Sequence, residues 1–105
     1  MRRESKLEGP LERKCCAWFD KRAGERGYQR KYKSPGKRSA PDRIFACWDI
    51  DSPRVIFIEF KAEGEEATPK QKDEHAKMRR AGLAVYVCDD FFDFTQIMFS
   101  QFGLK

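Results

Sequence analysis

Hydrophobic residues recur with helical spacing near the start of the chain. Leu11, Cys15 and Trp18 follow one another at intervals of three and four residues, just after Pro10. A proline favours the first turn of a helix, where its missing N–H costs nothing. The pattern therefore predicts a helix over about residues 10–24 that begins at the proline.

Four shorter stretches have the composition or alternation of β-strands. They cover residues 28–33, 43–48, 55–61 and 84–88. A turn at residues 51–54, Asp-Ser-Pro-Arg, joins the second strand to the third as a hairpin. The third strand begins with the apolar run VIFIEF, whose start we expect in the core, and the fourth, AVYVC, reads as a fully buried strand.

Two further helices complete the pattern. Thr68 and Pro69 suit the N-cap and first turn of a helix that runs to about Ala81, and Gln71 lies at the third position of a capping box. The last helix carries one apolar stripe, formed by Phe91, Phe94, Met98 and Phe102. The predicted order is αβββαβα, which makes an α/β fold.

Composition limits the class of protein. The 105 residues are 37% charged and 40% hydrophobic, which indicates a single globular domain over residues 1–105. We expect a soluble, intracellular protein, because the start has no signal-peptide core and no window approaches the length of a membrane span. Zinc binding is not expected, since the chain has one histidine and its cysteines form no CxxC pair. Cys15, Cys16, Cys47 and Cys88 are predicted to be reduced and buried.

Charge is divided unevenly along the chain. Residues 1–43 hold 14 Lys and Arg against 6 Asp and Glu, whereas residues 44–105 hold 8 against 11. The basic half is densest at residues 28–43, where tyrosines alternate with cations. Such a strip suits a phosphate backbone. The cations proposed to bind DNA are Arg30, Lys31, Lys33, Lys37 and Arg38.

The apolar third strand is interrupted by two charges. Glu59 and Lys61 lie two residues apart and so share one face of the strand. The hairpin brings Asp42 toward the same end of the sheet. Two converging carboxylates with an adjacent lysine suit a hard divalent cation, Mg²⁺ or Mn²⁺, at a site that acts on phosphodiesters. A salt bridge at a solvated sheet edge, with Asp42 capping a turn, is the alternative.

These residues match a known signature. Pro41-Asp42 followed by Glu59-Phe60-Lys61 resembles the PD-(D/E)XK nucleases, and the sequence GEEATPKQ with the strand AGLAVYVC is similar to their VRR-NUC (virus-type replication-repair nuclease) branch. The resemblance covers about residues 8–88 and implies a restriction-endonuclease-like core of order αβββαβ, to which this chain adds a C-terminal helix.

The resemblance also implies roles for individual residues. Asp42, Glu59 and the backbone carbonyl of Phe60 would bind the metal, Lys61 would position the attacking water, and Gln71 would line the site. A helix glutamate would complete it; Glu12 fits best, with Glu8 as the rival. His75 shares a helical face with Gln71, and packing or DNA contact is favoured for it over catalysis.

Function is expected to follow the family. The resemblance implies a metal-dependent, structure-specific DNA endonuclease of the Holliday-junction resolvase type, acting as a homodimer in DNA repair and associated with the nucleoid or viral DNA. The last helix, with additional apolar area at Phe92 and Phe99, is the candidate dimer interface. Two alternatives stay open: a non-catalytic basic module that binds nucleic acid, and a monomeric nuclease for flaps or overhangs.

Overall fold

The computed structural model describes residues 3–32, 39–48 and 54–105. Its elements follow the predicted order. They are α1 (Arg3–Ala23), a short 3-10 turn (Gly24–Arg26), β1 (Gly27–Lys31), β2 (Arg43–Cys47), β3 (Arg54–Phe60), α2 (Pro69–Arg80), β4 (Ala84–Cys88) and α3 (Phe91–Phe102). The predicted α/β fold is confirmed.

The four strands form one sheet in the order β1-β2-β3-β4. The first three are antiparallel, and β4 is parallel to β3, with α2 as the crossover between them. Arg43 lies opposite Ile58 in the β2–β3 pair. This register brings the residue before β2 alongside the last residues of β3.

Helices cover both faces of the sheet. On one face, α1 and α3 pack against Phe45, Ile58 and Phe60 in the larger core. On the other face, α2 contributes Met78 to a smaller cluster with Phe57. The stripe predicted for α3 is confirmed, because its members Phe94, Met98 and Phe102 are buried in the larger core.

The start of the first helix differs from the prediction. Helix α1 begins at Arg3, so Pro10 lies inside it. A proline in a helix interior lacks the N–H of one backbone hydrogen bond. Its preference for the first turn did not decide where this helix begins.

Two strand residues are more exposed than their sequence pattern predicts. β4 lies at the edge of the sheet, and its Val87 is exposed, so the strand is not fully buried. Val55, at the start of β3, is 47% exposed, and it belongs to neither of the two described core clusters. Apolar composition alone does not distinguish an edge or an uncovered row from a central, covered one.

Some predictions fall outside the described residues. They concern Lys33, Lys37, Arg38 and the turn at residues 51–53. Within the described part of the chain, no helix is long and apolar enough to cross a membrane.

Candidate active site

Asp42 is held at the start of β2 by backbone hydrogen bonds to both neighbouring strands. Its N–H donates to the carbonyl of Ile58 (3.1 Å), and its carbonyl accepts from the N–H of Tyr32 (2.9 Å). The side chain accepts a further bond, because the N–H of Phe60 donates to Asp42 Oδ2 at 2.7 Å. Three contacts therefore fix this carboxylate over the end of β3.

Glu59 is a buried acid on the face of β3 that α2 covers. It is 4% exposed. Asp42 lies opposite Glu59, because the next residue, Arg43, is paired with Ile58, and interaction with Glu59 lowers the pKa of the Asp42 carboxyl. From α2, Gln71 Nε2 donates to Glu59 Oε2 at 3.1 Å. The two acids from adjoining strands thus meet, and α2 closes over one of them.

The surroundings of Asp42 disfavour its charged form. Burial raises the pKa of its carboxyl above the ordinary value, and the negative charge of Glu12 raises the pKa further. The Phe60 N–H and the hydrogen bond with Glu59 lower this pKa, but they do not reverse the shift. Burial is therefore the main reason why the charged form of Asp42 is disfavoured.

Glu12 approaches this cluster from α1. Arg43 Nε donates to Glu12 Oε2 at 2.6 Å, and Lys31 Nζ lies 3.5 Å from the same oxygen. Arg43 Nη1 also donates to Gln29 Oε1 at 2.7 Å. The guanidinium therefore joins the helix glutamate to the edge strand β1. The described structure does not include the side chain of the rival, Glu8.

Sequence reasoning did not assign a role to Arg43. A signal was present, because successive strand residues point to opposite faces. Arg43 directly follows Asp42, so its side chain had to point toward the face that α1 covers. A cation there needs an acidic partner, and Glu12 provides one.

Lys61 and His75 lie beside Glu59. His75 is 1% exposed, and its Nε2 is 3.9 Å from Glu59 Oε1. Burial lowers the pKa of His75, and the positive charges of Arg79 and Lys61 lower it further. The imidazole is therefore neutral near pH 7, and its contact with Glu59 is not an ion pair. The side chain of His75 lies on the buried face of α2 and not at the protein surface.

Gln71 has two contacts. Its Oε1 accepts from the N–H of Thr68 at 2.8 Å, while Thr68 Oγ1 accepts from the N–H of Gln71, which completes the predicted capping box. Its amide nitrogen reaches Glu59. One side chain thus begins α2 and orients a buried carboxylate.

The donors in this cluster suit a hard divalent cation. Asp42 and Glu59 offer carboxylate oxygens on one face of the paired strands β2 and β3, and the charge of Glu12 acts on Asp42. Mg²⁺ and Mn²⁺ prefer oxygen ligands of this kind. A cation here would also favour the charged form of Asp42, which burial chiefly and the charge of Glu12 in addition disfavour.

A second acidic cluster lies at the start of α3. Oxygens of Asp89, Asp90 and Asp93 lie within 4.8 Å of one another. Local bonds explain two of them: Asp90 Oδ1 caps α3 by accepting from the N–H of Asp93, and Asp89 Oδ2 accepts from the N–H of Gly64. This cluster therefore has an ordinary structural role.

Of the residues predicted to bind DNA, two are described. Arg30 and Lys31 lie on the edge strand β1 and are exposed. Because neighbouring strand residues alternate, Lys31 faces α1 and Glu12, whereas Arg30 faces the side of α2. The pair therefore offers positive charge on both sides of the edge strand.

Known proteins resemble this chain in sequence and in structure. No protein-family model matches it. Over 63 residues, 60% of the chain, it is 43% identical to a protein of Acyrthosiphon pisum secondary endosymbiont phage 1 named "Putative nuclease p44", and the match covers 64% of that protein's length. A solved structure named "VRR_NUC domain" superposes with a TM-score of 0.75 at 24% identity, covering 91% of this chain and 97% of the solved chain. The protein has the fold of a VRR_NUC domain, and the resemblance predicted from the sequence motif holds at the level of the fold.

Proposed function

We propose that this protein is a VRR-NUC nuclease that hydrolyses phosphodiester bonds in DNA with the help of Mg²⁺ or Mn²⁺. The observation that carries the proposal is that Asp42 and Glu59 lie opposite each other at the ends of paired strands, on one face of the sheet. Both acids lie at the positions that the PD-(D/E)XK signature requires. The fold and the nuclease named among its relatives support the same activity.

Different residues of the chain would bind the metal and orient the attacking water. Asp42 and Glu59, with the carbonyl of Phe60, would hold the divalent cation. The cation supplies positive charge beside the scissile phosphate. Lys61 would orient the attacking water, and its ammonium would offset charge that develops on the phosphate.

Three further residues would support the metal-binding acids without binding the metal themselves. Gln71 fixes one oxygen of Glu59 through its 3.1 Å bond. Arg43 holds Glu12 beside the cluster. Lys31 lies 3.5 Å from Glu12 yet is exposed, so it is available to a phosphate at the rim. Arg43 and Gln71 are positioning residues in this proposal.

The substrate class is tested with labelled four-way junctions, 5′ flaps and blunt duplexes, each incubated with Mg²⁺ or with EDTA. We expect cleavage only with Mg²⁺, and symmetric cuts in the junction. Binding without cleavage of any of these substrates would support the non-catalytic module instead. Cutting confined to flaps would favour the structure-specific nuclease that acts as a monomer.

Replacing Gln71 and Thr68 separates capping from orientation of Glu59. Both Gln71→Ala and Thr68→Ala lose a bond of the capping box, and we expect each to lower the free energy of unfolding by about 0.5 to 2 kcal/mol. Only Gln71→Ala removes the contact with Glu59, so only it should slow cleavage. Thermal denaturation and single-turnover cleavage measure the two effects. Equal cleavage by both variants would limit Gln71 to capping.

A homodimer is the assembly that symmetric cutting of a four-way junction needs. The support for it is the outer face of α3, where Phe92 and Phe99 are exposed seven residues apart and therefore share one side of the helix. We expect sedimentation velocity to give the mass of a dimer, and Phe99→Asp to give that of a monomer. A wild-type monomer at micromolar concentration would contradict this assembly.

A further inference from the structure

Among the described residues, those at one end of the sheet face that carries Glu59 are exposed. Tyr28, Ala46 and Val55 lie side by side across β1, β2 and β3, since Tyr28 pairs with Ala46 and Ala46 with Val55. Tyr28 is 51% exposed, Val55 47% and the adjacent Trp48 63%. We call Tyr28, Ala46, Trp48 and Val55 the open aromatic row.

This row borders a cavity of about 490 Å³. Small-ligand pockets fall in a range of about 300 to 1,000 Å³. The other described lining residues include Arg26, Glu25 and Arg54. The guanidinium of Arg54 donates to Gln101 Oε1 of α3. On the neighbouring strand position of the same face, the guanidinium of Arg30 lies 4.5 Å from the centroid of the Tyr28 ring. Aromatic rings and arginines therefore occur together at this surface.

Exposed aromatic rings beside arginines restrict the kinds of molecule that could bind at this surface. A purely apolar partner would leave the guanidinium groups of Arg26 and Arg30 beside it, whereas a polyanion alone would not need exposed aromatic rings. Single-stranded nucleic acid meets both features, because its phosphates attract arginine and its unpaired bases stack on aromatic side chains. Paired bases in a duplex are already stacked and do not offer their faces.

The row also has a path to the active site. Tyr28, Arg30 and Tyr32 lie on one side of the edge strand β1, and the N–H of Tyr32 donates to the carbonyl of Asp42. Along β2, Ala46 is four residues from Asp42, which corresponds to about 13 Å. At the spacing of about 3.4 Å in a stacked strand, this is the length of about four nucleotides.

We propose that the open aromatic row binds an unpaired DNA strand, so that the enzyme recognises a single-stranded segment about four nucleotides from the phosphate it cuts. The proposal rests on the proposed nuclease function for its biological meaning. Trp48 and Tyr28 stack on bases, Arg30 holds the backbone on the way along β1, and the cleavage position follows from this spacing.

The test measures binding of a fluorescein-labelled 15-nucleotide oligothymidine and of a 15-base-pair blunt duplex in EDTA, by fluorescence anisotropy. Trp48→Ala is expected to weaken binding of the single strand about tenfold or more, and Trp48→Tyr to restore most of it, since a second ring can stack. Binding of the duplex should be unchanged. The matched control is Leu83→Ala, which removes an exposed apolar side chain outside the row and outside the outer face of α3.

Several outcomes would overturn the proposal. Unchanged binding of oligothymidine by Trp48→Ala would do so, and so would an equal loss for duplex and single strand. If Trp48→Ala instead halves the mass in sedimentation velocity without affecting binding, the row is an interface between copies. Because the assay contains no metal, it is independent of catalysis: a wild-type protein that binds through Trp48 but cuts nothing with Mg²⁺ would refute the nuclease and leave this binding site standing.

Discussion

Replacing Lys61 with alanine is expected to lower the cleavage rate at least 100-fold while the affinity for DNA stays within a few-fold of wild type. The size follows from losses of about 10²- to 10³-fold when one group that stabilises transition-state charge is removed. Lys61 follows β3 directly and lies two residues after the buried Glu59. Its positive charge lowers the pKa of His75. Single-turnover cleavage and anisotropy in EDTA measure the two quantities.

The matched control is Lys77→Ala. Lys77 is an exposed cation in the last turn of α2, outside the Asp42–Glu59 cluster. The substitution Lys77→Ala lowers the net charge by the same amount as Lys61→Ala. An effect of net charge on binding or cleavage would therefore appear equally in both variants. Retained cutting by Lys61→Ala would count against the role of this lysine, and weak binding by both variants would point to net charge alone.

The meeting of the two acids could be predicted because it depends on local rules. Alternation fixes the face on which Glu59 lies, and a hairpin fixes which end of β2 reaches it. The capping box at Thr68 and Gln71 is equally local, since it needs four consecutive positions. The sequence therefore predicted this cluster without any knowledge of how the helices pack.

Other features depend on contacts between distant elements. Whether Val55 is covered depends on where α2 lies across the sheet, and whether β4 is an edge strand depends on the order of all four strands. The bond between Arg43 and Glu12 joins residues 31 positions apart, and it exists because α1 packs over the start of β2. No periodicity in the sequence contains this information.

The contacts of Arg43 and Lys31 with Glu12 suggest a different role for this helix glutamate than the sequence predicted. Sequence reasoning treated Glu12 as a third acid for the metal. Its Oε2 is shared by Arg43 and Lys31. A glutamate held by two cations raises the pKa of Asp42 through its charge, yet it is itself neutralised in part. Glu12 thus acts on Asp42 through its charge while two cations hold its carboxylate.

Replacing Asp42 with asparagine should abolish cleavage and, in EDTA, stabilise the protein at neutral pH. The folded state raises the pKa of this carboxyl above its ordinary value of 3.8, chiefly through burial. The folded protein therefore binds more protons than the unfolded chain in the interval between the two pKa values. The stability that this group contributes is present below the unfolded pKa, is lost as the pH rises through the folded pKa, and is absent above it.

Asparagine removes that penalty because it carries no charge, while its side-chain oxygen can still accept from the N–H of Phe60. A gain of about 1 kcal/mol would raise the melting temperature of a domain of this size by about 4 to 8 °C. Melting curves of both proteins at several pH values, with EDTA and then with Mn²⁺, measure the effect. The advantage of the variant should shrink as the pH falls through the Asp42 pKa.

Adding Mn²⁺ distinguishes the burial of the Asp42 carboxylate from a general effect of lost negative charge as the cause of the stability gain. The cation binds only the folded state, so it should raise the melting temperature of the wild type and leave Asp42→Asn nearly unchanged. Asp73→Asn, at an exposed position of α2, should show neither the gain in EDTA nor the loss of the Mn²⁺ response. A variant Asp42→Asn that melts below the wild type in EDTA would mean that the buried acid pair is already balanced by the protein's own cations, and the need for a divalent ion at this end of the sheet would disappear with it.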